Sequence, residues 1–440
     1  MESVQPHADP NALSVIRQEA HDTLLAQAGI AHTPGLFAPG LPLNESGERN
    51  RNTRRVAYEN MAGFAEVGAS VIERIQAEQR LDYVIQADML RMHPDGYVYT
   101  IPFGGEGTYV TEHNRIPLER RGLYLLLSRL SPNVFSRSFD TLCRASPSAR
   151  AVIFNDLMER RAKLLKGRKG QPKLLKLRSR LATPGAPRSV FAVVSDQYPT
   201  VYDGDHYLGD VITRVQALDP DTKGRVVYDP QSTRVWFEAI WNEDFSVDYG
   251  CGDVFRLALT GLTRDDAGSR YRLWAAAYRE AGGQFFTFTS DKAQLIKRVH
   301  RGQAINVVDE IEESVERVMD IFSPFLAEWG VLRKTPIEGV ALFGKVYDSV
   351  PAALAGLVES NRIDLGCADD ALALQALLNA WGHEPGSSVA DLLCAVSKAA
   401  TDSVQDMSTA AALESQVATL TTKLCESVHP GPWMYVQAQE

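Results

Sequence analysis

The N-terminal part of the chain carries apolar residues at helical spacing. Residues 10–30 fit a short helix and residues 53–80 a longer amphipathic helix, and a connector rich in Pro, Gly and Asn separates them at residues 32–52. The longer helix has its apolar face at Val56, Met61, Phe64, Val67, Val71 and Ile75. The pattern therefore predicts a helical N-terminal region over residues 1–81.

After this region the apolar residues change from helical to alternating spacing. Residues 96–103 and 108–112 alternate around the motif Gly104-Gly-Glu-Gly107, which predicts a β-hairpin with a glycine-rich turn. Residues 117–165 return to helical spacing. We therefore expect a β-hairpin followed by helices over residues 82–158.

The densest alternation of apolar and polar residues lies between residues 189 and 290. A helix is expected at residues 207–218, and residues 270–280 fit either a helix or a strand. Strands are expected at residues 190–195, 225–228, 234–241, 253–260 and 285–289. This order predicts a compact α+β core built on an antiparallel β-meander.

The C-terminal third of the chain reads as helical and acidic. Helices are expected at residues 291–329, 350–382, 388–402 and 408–427. Residues 303–440 hold 20 acids and 7 bases, a net charge of −13. We therefore predict an α+β fold with a central antiparallel β-meander, flanking helices, a helical N-terminal region and an all-helical C-terminal region. The expected boundaries are 1–81 for the helical N-terminal region, 82–158 for the β-hairpin and helices, 159–188 for a basic arm or linker, 189–290 for the α+β core, and 291–440 for the acidic helical C-terminal domain.

One segment departs sharply from this acidic background. Between Arg160 and Arg180, ten of twenty-one residues are Lys or Arg and none is acidic. The segment contributes +10 to a formal net charge of −9, so the rest of the chain carries −19. Gly167, Gly170 and Pro172 interrupt it, which is typical of a mobile arm. Because buried unpaired charge is costly, such a run needs an external anion or a solvated surface.

Three interpretations of this basic segment stay open. Phosphate groups of nucleic acid fit its charge density, a solvated loop would leave it without a partner, and an acidic surface of this or another protein would also attract it. The candidate nucleic-acid-binding residues are Arg160, Arg161, Lys163, Lys166, Arg168, Lys169, Lys173, Lys176, Arg178 and Arg180 in the segment, with Arg234 and Arg256 in the α+β core.

The α+β core interleaves aromatic side chains with arginines. The arginines are Arg225, Arg234, Arg256, Arg270, Arg272 and Arg279. The aromatic residues are Trp236, Phe237, Trp241, Tyr271, Trp274, Tyr278, Phe285, Phe286 and Phe288. Aromatic rings and guanidinium groups bind single-stranded bases, but aromatic residues at a period of two also form the core of a sheet. Both interpretations stay open.

Motifs for catalysis and metal binding are weak. Residues Gly339 to Lys345 satisfy G-x-x-x-x-G-K, but Val346 replaces the hydroxyl residue that would bind Mg²⁺. The run Asp203-Gly-Asp205-His206 fits a turn and a helix N-cap better than a metal site. We therefore predict no metal site, no cofactor and no catalytic residues. The sequence favours a non-catalytic role, and an enzyme with an unrecognised site stays open as a third hypothesis.

Cysteine usage points to a reducing compartment. The five cysteines are scattered and no pair has C-x-x-C spacing. The N-terminus lacks the charged and apolar regions of a signal peptide, and no stretch of eighteen apolar residues occurs. We therefore expect a cytoplasmic protein without a membrane partner.

The stretch from Arg188 to Asp203 contains Ser195-Asp-Gln-Tyr198 and resembles a signature of a phage- and plasmid-borne protein family. That family is known as domain of unknown function nine-thirty-two, and its members have a strand followed by Ser-Asp-Arg-Tyr and a turn containing Asp. The resemblance extends over about residues 85–305, with Asp95-Gly-Tyr-Val-Tyr99 at the early β segment. It departs from the family at Arg264-Asp-Asp-Ala-Gly268 and Tyr278-Arg-Glu-Ala-Gly-Gly283, which lack the family's Asn and Cys.

The resemblance implies a mobile-element origin and favours a role with DNA. The predicted β-α-β-β-β-α order also resembles the core of single-strand annealing recombinases of the phage lambda Red beta type, at the level of fold. The leading hypothesis is a nucleic-acid-binding protein of a phage or plasmid, binding or annealing single-stranded DNA in recombination, and forming a homo-oligomer. The alternative is a non-enzymatic phage structural or protein-interaction component whose basic segment docks an acidic partner.

Overall fold

A computed structural model describes most of the chain from residue 58 onward. The described residues are 58–100, 115–130, 139–160, 173–181, 187–196, 198, 202–230, 232–242, 247–248, 253–265, 270–287, 294–299, 305–365, 369–403, 413, 416–421, 423–424 and 428. They form two compact units, the first within Gln76–Thr200 and the second within Gly40–Ile75 and Val201–Glu440.

Helices and strands of different lengths follow one another along the described chain. The helices are α1 (Phe64–Ala77), α2 (Arg120–Leu130), α3 (Phe139–Arg144), α4 (Pro147–Arg160), α5 (Gly204–Leu218), α6 (Ile305–Glu316), α7 (Val318–Lys334), α8 (Val350–Glu359), α9 (Asp370–His383) and α10 (Val389–Ser403). The strands are β1 (Leu81–Gln86), β2 (Leu90–Met92), β3 (Tyr97–Thr100), β4 (Ile116–Pro117), β5 (Leu174–Leu181), β6 (Arg188–Ser195), β7 (Lys223–Asp229), β8 (Arg234–Ile240), β9 (Val247–Asp248), β10 (Val254–Arg264), β11 (Arg270–Arg279), β12 (Gln284–Thr287), β13 (Gln294–Val299), β14 (Ala341–Leu342) and β15 (Lys345–Val346).

The first unit holds two three-stranded antiparallel sheets. Their orders are β1-β5-β6 and β2-β3-β4, so β5 is the central strand of its sheet. Helix α2 lies against β6, and a side chain at Gly122 would come within 2.4 Å of the Val190 carbonyl oxygen. This close approach requires glycine. Leu126, Leu127 and Phe154 are fully buried in the core between the helices and the sheets.

The second unit is built on a seven-stranded antiparallel sheet. Strands β12-β11-β10-β8-β7 follow one another, β13 pairs with β11, and β9 pairs with β10. Alternate residues of a strand point to opposite faces, and Val235, Phe237 and Ala239 of β8 enter a core shared with the helices. That core continues through Trp329 of α7 to Leu393 of α10.

The α+β class is confirmed, with antiparallel sheets and flanking helices. Residues 270–280, for which the sequence fits either a helix or a strand, form the strand β11. The expectation of an all-helical region from residue 291 is wrong, because β13 extends the sheet and β14 pairs with β15. Residues Gln294–Val299 do not alternate between apolar and polar side chains, so their strand conformation comes from pairing with β11 and not from a local pattern. Of the predicted hairpin at residues 96–112, only Tyr97–Thr100 is described as a strand, and the remainder lies outside the described residues.

The predicted domain boundaries also differ from the structure. Strand β6 pairs with β5 in the first unit, so residues 188–195 do not begin the meander of the second. Helices α6 to α10 share one hydrophobic core with the meander, so residues 291–440 do not form a domain separate from it. No helix within the described residues is long and apolar enough to cross a membrane.

A buried carboxylate joins the sheet of the second unit to its helices. Asp253, only 1% exposed, precedes β10 and accepts hydrogen bonds from Nε of Arg279 at 2.7 Å and from the indole Nε1 of Trp329 at 2.9 Å. The guanidinium of Arg333 on α7 reaches the same carboxylate at 3.1 Å. Arg279 also donates to Glu384 at 2.7 Å, beyond the end of α9. One carboxylate thus holds β10, β11 and α7 together.

Replacing this carboxylate tests the link directly. We expect Asp253→Asn to lower the free energy of unfolding of the second unit by about 3–5 kcal/mol, because Arg279 stays buried with one counter-charge fewer. All six tryptophans of the chain lie in Val201–Glu440, so tryptophan fluorescence during urea unfolding reports on this unit.

Asp402→Asn is the matched control. Its carboxylate, 31% exposed, pairs with Lys398 one turn away at 4.0 Å, and such a pair contributes less than about 1 kcal/mol. Equal urea midpoints for the two variants would contradict the role of Asp253.

Candidate nucleic-acid interface

The structure divides the predicted basic segment into a strand and a remainder. Residues Leu174–Leu181 form β5, whose neighbours β1 and β6 flank it on both sides. Lys173, Lys176, Arg178 and Arg180 therefore belong to a sheet or its immediate start, and the expectation of an arm or linker over residues 159–188 is wrong for this half. Arg160 ends α4, and Arg161, Lys163, Lys166, Arg168 and Lys169 lie outside the described residues.

Arg178 and Arg180 are buried and already have acidic partners. Arg180, 4% exposed, donates to both carboxylate oxygens of Glu119, from Nη2 at 2.7 Å and from Nε at 3.0 Å, and to Glu78 at 3.2 Å. Arg178, 1% exposed, pairs with Asp82 on β1 at 3.2 Å. Their charges are neutralised within the first unit, so neither arginine faces an external anion.

An aromatic ring completes this buried cluster. The guanidinium carbons of Arg178 and Arg180 lie 5.4 and 5.1 Å from the centre of the Phe191 ring, and that of Arg80 lies 5.2 Å from it. Cations at this distance are attracted by the face of an aromatic ring. The arginines of β5 therefore stabilise the sheet of the first unit.

The two lysines of this half are also used within the unit. Lys173 donates to the backbone carbonyl of Arg129, and burial, followed by the nearby positive charge of Arg129, lowers the pKa of its ammonium group. Lys176 donates to the carbonyl of Tyr198 at 2.8 Å. By contrast, the Arg160 side chain is 73% exposed and makes a surface pair with Asp156 at 2.7 Å.

Arg256 is likewise a structural residue. It is 4% exposed, pairs with Glu280, and holds its guanidinium 3.8 Å from the centre of the Tyr58 ring. Arg225 and Arg279 on the same sheet are also buried against Glu238 and Asp253. The expectation that Arg256 contacts nucleic acid is therefore not supported by its position.

Arg234 lies in a different setting, at one end of the sheet. It stands directly opposite Arg264 of β10, and Leu262 stands opposite Arg272 of β11. Directly paired residues share a face, and so do residues two apart along a strand. Arg234, Arg264 and Arg272 therefore point to one face, and each is half-buried.

Two tryptophans accompany these arginines on the same face. Trp236 is opposite Leu262, and Trp274 is opposite Thr260. Trp236 is buried and Trp274 half-buried, and the Arg272 guanidinium lies 5.8 Å from the Trp274 ring centre. We call Arg234, Arg264, Arg272, Trp236 and Trp274 the arginine–tryptophan face. Asp229 is the acid directly opposite Arg234 in register.

Most of the predicted aromatic set, Trp236 of the arginine–tryptophan face included, is buried, in agreement with the interpretation of these residues as core. Those at or below 7% exposure are Trp236, Phe237, Trp241, Tyr271, Tyr278, Phe285 and Phe286. Phe288 lies outside the described residues. Trp274 is the member of the predicted set that combines half-burial with a neighbouring cation.

The remaining motifs have structural roles. Leu342 pairs with Lys345 around Phe343 and Gly344, whose φ angles of 52° and 78° fit a type I′ hairpin turn, so the glycine motif forms no phosphate loop. Gly204, the first residue of α5, donates its N–H to Asp265 at 2.8 Å, whereas Asp203 forms no side-chain cap.

Titratable clusters in the described residues give no sign of a metal centre. No group of three His, Cys, Asp or Glu side chains in the described part of the chain has the geometry to hold a metal ion. Burial raises the pKa of the Cys394 thiol to about 12, although the cations of Arg279 and Arg333 oppose this. This thiol therefore stays protonated at neutral pH.

Sequence reasoning found two arginines of the face and missed the third. In the sequence Arg264 stands out only as the start of the motif at residues 264–268, whereas the strand register places it opposite Arg234. Thirty residues separate the two in sequence, so only the pairing of β8 with β10 brings them together. Predicting the register of β8 against β10 from their alternation would have revealed this pair.

Comparisons with protein-family models, with curated proteins and with solved structures find no match for this chain. The resemblance of Ser195-Asp-Gln-Tyr198 to the uncharacterised phage and plasmid family therefore stays a sequence-based expectation.

The contrast between buried and exposed cations of the basic segment can be measured. We expect Arg180→Gln to lower the free energy of unfolding of the first unit by about 3–5 kcal/mol, because Glu119 then loses its buried bidentate cation and Glu78 keeps only its pair with Arg80. Circular dichroism during urea unfolding provides the measurement, since the first unit has no tryptophan.

Arg160→Gln removes the same charge from a solvent-exposed position. Its effect should stay within about 0.5 kcal/mol, as for most surface substitutions. A large loss for Arg160→Gln, or none for Arg180→Gln, would refute this division of the segment.

Proposed function

We propose that this chain binds nucleic acid, with single-stranded DNA as the expected ligand. The observation that carries the proposal is the arginine–tryptophan face, where three half-buried arginines share one end of a sheet face with an accessible indole. Arg234 stands between Arg264 on one neighbouring strand and Asp229 on the other, and like charges directly opposite each other are unfavourable, so a phosphate at this sheet end would add a further counter-charge to the arginines.

The chemistry of the face fits a single strand. Guanidinium groups bind phosphate oxygens through paired hydrogen bonds, and Arg234, Arg264 and Arg272 present three of them. The Trp274 ring and the Arg272 guanidinium beside it give flat surfaces on which an unpaired base stacks. A duplex keeps its bases stacked internally, so this combination favours unpaired bases.

The undescribed part of the basic segment adds a second source of phosphate affinity. Residues 161–172 contain five cations and no acid. Because Arg178 and Arg180 already have acidic partners, we assign the phosphate contacts of the segment to these five cations. Their contribution is electrostatic and independent of base sequence.

The proposed activity is binding without a chemical step. A phage or plasmid origin, strand annealing in recombination, and assembly into a homo-oligomer belong to the proposal as well. The origin and annealing rest on the motif around Ser195-Asp-Gln-Tyr198 alone, because β6 pairs with β5 and does not open the meander. The homo-oligomer rests on the Ala-rich sequence of the C-terminal helices. The arginine–tryptophan face does not depend on them.

The face is tested by the salt dependence of binding to a fluorescent oligothymidylate. The triple variant Arg234→Gln, Arg264→Gln and Arg272→Gln should reduce the slope of log affinity against log salt concentration by about 2, at roughly 0.7 per phosphate contact on a single strand. Trp274→Leu should weaken binding about tenfold through lost stacking while leaving the slope unchanged.

A control with the same loss of charge accompanies this triple variant. Arg317, Lys334 and Lys345 are exposed cations of the same unit, and their replacement by Gln should leave the slope within error of the parent. Thermal unfolding verifies that each variant is folded. An unchanged slope in the Arg234, Arg264 and Arg272 variant would exclude the face from binding.

The remaining cations of the basic segment are tested separately. Replacing Lys163, Lys166, Arg168 and Lys169 by Gln should lower the salt slope by up to about 3 without changing the unfolding midpoint. If affinity and slope both match the parent, residues 161–172 take no part in binding, and if the parent fails to bind at low salt, the proposed function itself is wrong.

A further inference from the structure

A surface pocket of about 270 Å³ lies in the second unit, away from the residues of the arginine–tryptophan face in sequence and secondary structure. It is lined by the turn between β14 and β15, by the chain that follows α8, and by helical residues within 416–421 and at 423. Elements separated by up to 80 residues therefore meet at one small site.

The charge of the pocket is opposite to that of its surroundings. Residues 303–440 carry a net charge of −13 and contain only seven bases. Two of the seven, Arg362 and Lys423, line this pocket, and among the described residues that line it none is an acid. The fold brings these two cations together from positions 61 residues apart in the chain.

The position of Arg362 is fixed by the end of α8. Asn361 adopts a φ of 50°, and its N–H donates to the carbonyl of Val358 at 2.9 Å. The N–H of Arg362 donates to the carbonyl of Leu357, also at 2.9 Å. These two bonds form the Schellman motif that terminates a helix. The backbone that carries the guanidinium is therefore held before any ligand arrives.

An aromatic ring fixes the other end of this side chain. The Arg362 guanidinium lies 5.0 Å from the centre of the Phe343 ring, which the type I′ turn presents. Gln416 uses its Oε1 to accept the N–H of Asp364 at 2.8 Å, so the amide nitrogen is the group it can offer to a ligand. Phe343 and Leu420 supply the apolar part of the lining.

We propose that this pocket binds a phosphate monoester that carries a planar or apolar organic group, such as a nucleoside monophosphate. Two cations match the double charge of a phosphate monoester better than the single charge of a carboxylate. The Phe343 ring and the Leu420 side chain contact the organic group, and a phosphate at the end of a nucleic-acid strand offers the same chemistry. This proposal for the pocket does not depend on the proposed binding of nucleic acid by the arginine–tryptophan face.

Isothermal titration calorimetry of the full chain with AMP, adenosine and inorganic phosphate tests the proposal. AMP should bind at least tenfold more tightly than adenosine or inorganic phosphate. Arg362→Gln and Lys423→Gln should each weaken AMP binding about tenfold, the loss expected for one charge-assisted hydrogen bond. Lys345→Gln, on β15 and outside the lining, should bind AMP like the parent.

Two further arms separate this site from the strand-binding face. The triple variant at Arg234, Arg264 and Arg272 should bind AMP normally even if it loses oligonucleotide. Displacement of AMP by a 5′-phosphorylated oligonucleotide, and not by its unphosphorylated form, would identify a strand end as the source of the phosphate. If neither oligonucleotide displaces AMP, the ligand is a free phosphate monoester.

The proposal is overturned if AMP binds no more tightly than adenosine, or if the double variant of Arg362 and Lys423 binds AMP like the parent. Equal affinities for inorganic phosphate and AMP would overturn the role given to Phe343 and Leu420.

Discussion

Burial of charged groups beside fixed partners is the constraint on which both units depend. In the second unit, the carboxylate of Asp253 accepts hydrogen bonds from Arg279, Trp329 and Arg333, so the ends of strands β10 and β11 and helix α7 share one site. A carboxylate in this position is tolerable only because several donors surround it at once. The sheet and the C-terminal helices consequently fold as one core, and a boundary near residue 291 has no physical basis.

The first unit repeats the arrangement with the charges exchanged. There the buried cations, Arg178 and Arg180, lie on the central strand β5, and they pair with three carboxylates, those of Glu78, Asp82 and Glu119. A run of Lys and Arg in sequence looks like a surface for anions because its own residues contain no acid. The partners Glu119 and Glu78 lie 61 and 102 positions away from Arg180, and no local pattern connects them.

Local periodicity accounted for the parts of the fold that local interactions determine. The alternation in residues 234–241 and 253–260 gave strands β8 and β10, and the helical spacing in residues 207–218 gave most of α5. The same reasoning failed where tertiary pairing decides. Strand β6 alternates in the same way whether it joins the meander or β5, so the pattern identifies a strand and leaves its neighbours unknown. Of the candidate site, residue types were predictable, whereas the meeting of Arg234 with Arg264 required the register.

The buried ion pairs show that the number of cations in a segment of this chain does not measure its affinity for phosphate. A cation adds to phosphate affinity only if its field is not already balanced by a nearby carboxylate, because release of counterions from the phosphates requires net charge at the surface. Arg178, Arg180 and Arg256 fail that condition, since each is at most 4% exposed and has an acidic partner. Arg234, Arg264 and Arg272 are each half-buried and share one face at a sheet end, where Asp229 is the acid opposite Arg234 in register among the described strands. Three clustered guanidinium groups beside an indole therefore make a stronger case for a strand-binding surface than ten cations counted along the sequence.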